Sequence, residues 1–184
     1  MRTFASAMAE SAQEARREWG WYLALGILLI VVGVYAIYSG ATATLASIIV
    51  LGALLLVAGV AQLIAMFRAH GAGHVLLLLL IGVLDIVVGL MLIGHPAAGA
   101  LTVTLLLAAL FVFSGIFRFV AALWLQFPQY GWVAFSGVIT FLLGILLWAE
   151  WPTSAMWFIG FAVGVYLIFA GIAWSTLAWK LKSA

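Results

Sequence analysis

Apolar residues run along this chain in six long stretches, separated by short breaks rich in turn-forming residues. The stretches lie near residues 20–38, 43–67, 75–94, 99–124, 131–149 and 154–178. Each approaches the roughly twenty residues that an α-helix, rising about 1.5 Å per residue, needs to cross about 30 Å of hydrocarbon. The breaks are Ser39-Gly40, His70-Gly71-Ala72-Gly73, His95-Pro96, Pro128-Gln129-Tyr130-Gly131 and Trp151-Pro152. Backbone groups in lipid must be bonded internally, and the runs lack the alternation of a closed β-barrel. The pattern therefore predicts an all-α membrane protein of six transmembrane helices.

The same pattern repeats. Gly26 and Gly33 stand seven residues apart, as do Gly82 and Gly89, and Gly137 and Gly144. On the returning helices Gly59, Gly115 and Gly171 follow Gly52, Ala108 and Gly164 at the same spacing, and the turns at Gly40, Pro96 and Pro152 recur every 56 residues. Three helical hairpins are expected, over about 19–70, 71–127 and 128–178. They are preceded by a segment 1–18 and followed by a short tail, 179–184. Seven residues turn a helix almost twice, so each small pair shares one face. Helices in lipid associate by close packing, which small residues permit, and these glycines read as packing devices. Gly160 and Gly164 add a shorter version. Three hairpins of equal orientation form a parallel repeat, unlike the inverted repeats of many secondary transporters.

Composition agrees with this solvent. Of 184 residues, 68% are apolar and 7% charged, against roughly 25% charged in an ordinary soluble domain. Six of the seven Lys and Arg residues (Arg2, Arg16, Arg17, Arg68, Lys180 and Lys182) fall on the side shared by both termini. The opposite turns have none, so both termini are expected to be cytoplasmic. The cations flank apolar runs and form no basic face, which argues against a nucleic-acid partner. Membrane lipids are the expected neighbours, with further copies of the chain or other membrane subunits as partners. Phe4, Met8, Ala12 and Ala15 approximate one stripe, which suggests an interfacial helix over 1–18 or a solvated tail. The segment lacks the apolar core of a signal peptide.

Candidate chemistry is sparse. Asp85 lies midway along the third span, where a carboxylate costs roughly 2.5–3.5 kcal/mol on an insertion scale. It is expected to face the interior and to be paired or neutral, bonded to hydroxyls such as Ser114, Ser136 or Thr140. The alternative is a proton-responsive group. Arg118 is offset from it by about 12 Å along the axis, too far for a natural ion pair, and is expected to snorkel toward headgroups. Gln62 and Arg118 hold equivalent repeat positions and together suggest a lipid-headgroup site. His95 and Glu150 sit in the opposite turns, where they read as surface residues or proton-responsive groups. His70 and His74 lack a carboxylate nearby, there is no cysteine, and no metal site is expected. No phosphate-binding glycine loop or catalytic triad can be assembled, so neither a cofactor nor an enzyme activity is expected.

Three Gly-rich hairpins, the segment Gly82-Val-Leu-Asp85-Ile-Val-Val-Gly89 and the turn Gly94-His95-Pro96 resemble the HdeD family of short-repeat bacterial inner-membrane proteins. The likeness covers about residues 19–178. It implies a role in acid resistance without implying a mechanism. The reading from sequence is a non-enzymatic membrane protein linked to acid or envelope stress. An accessory or scaffolding subunit of a membrane complex and a small transporter or channel stand as alternatives.

Overall fold

A computed structural model describes residues 19–125 and 130–183. Six helices account for nearly all of them: α1 (Trp19–Tyr38), α2 (Gly40–Met66), α3 (Ala72–Gly94), α4 (Pro96–Leu125), α5 (Tyr130–Ala149) and α6 (Phe158–Ser183). A 3₁₀ turn, Thr153–Met156, precedes α6, and no strand occurs among the described residues. All six helices are long and apolar enough to span a bilayer, and only 17–22% of each apolar window is buried within the protein. Side chains such as Val57, Phe113 and Phe169 are accordingly exposed. So much apolar exterior is stable only in hydrocarbon, and the chain is a multi-pass membrane protein. The amphipathic stripe of segment 1–18 and the Pro128-Gln129 turn lie outside the described residues.

The helices are longer than the apolar runs; two of the turns opposite the termini are shorter than expected, and the third, residues 150–157, is longer because the last helix starts at Phe158 rather than near residue 154. The apolar runs end near 38 and 94 and resume near 43 and 99, yet one residue, Ser39 or His95, separates the flanking helices. At His95 the backbone leaves the helical region (φ −135°, ψ 66°) while its N–H still bonds Met91 O at 2.9 Å. Pro96 then starts α4, where its missing N–H and fixed φ cost nothing. Gly71, at φ 95°, occupies the left-handed region at the entry to α3. At the other extreme, α6 continues through residues expected to be a tail. Lys180 and Lys182 occupy its last turn, where cations oppose the helix dipole.

The described residues divide into two compact units, 40–160 and 19–39 with 161–183. In the first, α2 packs along α3 and α4 along α5; in the second, α1 packs along α6. Each pair is antiparallel, and glycines set its register. Gly52 lies against Gly89 and Gly59 against Gly82; Ala108 lies against Gly144 and Gly115 against Gly137; Gly26 lies against Gly171 and Gly33 against Gly164. A Cβ on Gly59 would stand 2.7 Å from Gly82 O, and one on Gly33 would stand 2.7 Å from Gly164 O. Within the first unit, the tight pairs therefore join the second helix of one sequence repeat to the first helix of the next, while the two ends of the chain supply the third pair.

One further contact inside the 40–160 unit shows how helix ends are completed. Gly160 is the third residue of α6, so its N–H lacks an intrahelical acceptor. Thr44 Oγ1 accepts it at 2.8 Å, with both residues buried. Gly40 and Gly160 permit the approach, since a Cβ on Gly160 would meet Gly40 O. Thr44 is followed inward by Ile48, and Ile48 and Thr104, 56 residues apart, are both fully or almost fully buried.

Candidate functional site

The candidate site grows out of the α2·α3 register. Gln62 follows Gly59 by three residues on α2, and Asp85 follows Gly82 by three on α3. Because the helices run antiparallel about the Gly59–Gly82 contact, the two positions lie on opposite sides of it, about 9 Å apart along the axis. Helical side chains lean toward their own N-terminus. Gln62 thus leans back along α2 and Asp85 back along α3, each toward the glycine contact between them. The gap closes: Gln62 Nε2 donates to Asp85 Oδ2 at 2.9 Å. Both side chains are half-buried, and Gln62 Oε1 is buried without a partner.

This pairing corrects one expectation. Asp85 is not held by the hydroxyls of Ser136 and Thr140: Ser136 Oγ donates to Val133 O and Thr140 Oγ1 to Ser136 O, each at 2.8 Å. A hydroxyl has one proton to give, and both are committed to their own helix. Gln62 spends one amide N–H on Asp85. Arg118 is exposed on α4, and its Cβ lies beside Gly137 of α5. That stem packing fits the snorkelling geometry expected for it.

The bond is peculiar to one pair. Arg118 and Thr140 replace Gln62 and Asp85 at the equivalent positions of α4 and α5. In the α1·α6 unit the equivalents are Trp174 and Leu29, and the Trp174 indole stacks on Tyr22 at 5.7 Å and 5°. Glycine packing therefore does not require a polar bond at this place. Besides Asp85, the only titratable side chain on α2 or α3 is His74, exposed and eleven residues away, about 16 Å.

His95 and Glu150 are exposed in turns and are not brought to Asp85; His95 lies ten residues farther along the chain. Near Glu150 the turn is held by other groups. Buried Ser154 donates its hydroxyl to Leu147 O at 2.8 Å, and Trp151 Nε1 donates to Leu101 O at 3.3 Å. Among the described residues, no three His, Asp or Glu side chains gather into a metal-binding group. Sequence reasoning missed the Gln62–Asp85 pairing. The signal was available as the equal offset of three residues from two glycines, once those glycines are known to face each other.

A family model described as a short repeat of unknown function (DUF308) matches residues 24–93 and again residues 80–149. The two matches are offset by 56 residues, the period of the glycine pattern. No curated protein and no solved structure matches the chain.

Proposed function

The chain belongs to the DUF308 short-repeat family, and on that premise we propose that it is a non-enzymatic protein of the bacterial inner membrane whose Gln62–Asp85 pair responds to protons under acid stress. The observation that carries the reading is the single hydrogen bond between these side chains, with the second oxygen of the amide left unpartnered. A carboxylate only accepts. When Asp85 takes up a proton, its new O–H becomes a donor within reach of a buried acceptor, Gln62 Oε1, that has no other. One bond becomes a reciprocal pair, and α2 is tied more firmly to α3. The proton is the only species added, and no covalent bond changes. The resemblance to the HdeD family supports acid stress as the setting.

The Gln62→Leu, Asp85→Leu double variant tests this proposal, since it strands neither polar partner and leaves no carboxylate to take up a proton. Cells carrying it are expected to lose the acid survival that the intact chain confers, measured beside their proton leak. Survival and leak identical to those of cells with the intact chain would remove Asp85 from the mechanism.

The same reading places both termini in the cytoplasm, supported by six Lys and Arg residues on the terminal side and none in the opposite turns. Because the chain has no cysteine, single substitutions report cleanly. Ser6→Cys and Ser183→Cys are each expected to react with an impermeant maleimide only after the membrane is opened. Labelling of either one in intact cells would reverse the orientation.

A further inference from the structure

At the end of the 19–39 and 161–183 unit where the chain enters α1 and leaves α6, two grooves share Trp179 as a wall. One, of about 400 Å³, is lined by Trp19, Leu23, Trp179 and Lys182. The other, of about 380 Å³, is bordered by Ser175 and Lys180 and runs along apolar side chains toward the middle of the pair. Both are almost wholly apolar apart from the lysine at one end. The Lys182 ammonium sits 4.7 Å from the centre of the Trp19 ring. An indole face steadies a cation without using its N–H donors, so the ammonium keeps three donors to offer. Neither of the described acidic residues, Asp85 and Glu150, belongs to this unit. The Ser175 hydroxyl, beside the second groove, is buried and has no partner.

From this arrangement we infer a binding site for an anionic phospholipid. Its two acyl chains lie in the two grooves on either side of Trp179, and its phosphate meets Lys182 at the helix ends. The match is one of both shape and charge: paired apolar channels ending together at cations and indoles, at the depth where headgroups lie. A zwitterionic lipid fits the channels equally but loses part of its attraction to the lysines. The site is separate from the Asp85 pair and stands whether or not that pair senses protons.

The test uses the full-length chain in neutral detergent, with bound lipid counted by native mass spectrometry. Dioleoyl phosphatidylglycerol is compared with dioleoyl phosphatidylcholine, and with glycerol phosphate as a headgroup without tails. Phosphatidylglycerol is expected to bind roughly fivefold more tightly for each lysine engaged, the factor a cation near an anionic surface supplies. Lys182→Gln should bring the preference down by about that factor, Lys182→Arg should keep it, and Arg68→Gln, in the other unit, should leave it intact. Equal binding of the two lipids, or an undiminished preference in Lys182→Gln, overturns the site. Competition by glycerol phosphate as strong as that of the whole lipid would make the ligand a soluble phosphate and overturn it too.

Discussion

Gly115→Ala is expected to destabilise the protein by about 1–3 kcal/mol, the range typical of overpacking a close-packed interior. A Cβ there would lie 2.5 Å from Phe141 N and 2.7 Å from both Gly137 O and Phe141 Cα. All three are backbone atoms of α5, so no side chain can swing aside; the helix itself must move. Against this stands the helical preference for alanine over glycine, at most about 1 kcal/mol. The clash wins. The balance reverses at Gly131, also on α5, where an added Cβ meets nothing within 4 Å; Gly131→Ala is expected to be neutral or slightly stabilising. Gly82→Ala falls between, because two of its three nearest atoms, at 3.1 and 3.2 Å, belong to the flexible Leu63 side chain. Thermal unfolding of the three variants in one detergent should give that order, and a Gly115→Ala midpoint level with that of Gly131→Ala would refute the assignment of Gly115 to a packing contact.

That order rests on knowing which glycine faces which, and here the sequence was informative only to a point. Span length is dictated by the bilayer, so six helices could be read from apolar runs alone. The seven-residue spacing likewise marked Gly52, Gly59, Gly82 and Gly89 as a packing face on each helix. It did not name the partner, because all six helices carry the same stripe. At Ser39 and His95, connection length separates the candidates. Antiparallel helices packed side by side have axes about 8–10 Å apart and are usually joined by two to five residues. Ser39 and His95 are single-residue links, too short to lay glycine faces together, whereas residues 67–71 provide five between α2 and α3. The distinction was hidden because apolar runs end before helices do: residues 40–42 and 96–98 are helical but not uniformly apolar. With the partner misjudged, Asp85 was weighed against Arg118 and nearby hydroxyls rather than against Gln62. The glycine face was legible; the chemistry beside it depended on a connection that periodicity does not measure.

The pairing of Gln62 with Asp85 carries the second large expectation, and a double-mutant cycle separates its contribution to stability from its contribution to function. Gln62→Leu leaves a half-buried carboxyl group with no described partner, and a polar group stranded in this way costs about 1–3 kcal/mol. Asp85→Leu strands the whole Gln62 amide, whose Oε1 is already without a partner, and should cost a similar amount. In the double leucine variant neither group is stranded. The α1·α6 pair shows that glycine register suffices without such a bond, since Leu29 and Trp174 occupy the equivalent places there. The double variant is therefore expected to unfold close to the intact chain, so the coupling between the two single changes should approach the sum of their separate costs, about 2 kcal/mol or more. If the single losses simply add, the side chains do not interact in the membrane and the site dissolves. If they couple and the double variant is stable yet fails to protect cells in acid, then the bond is dispensable for folding and its retention answers to the proton alone.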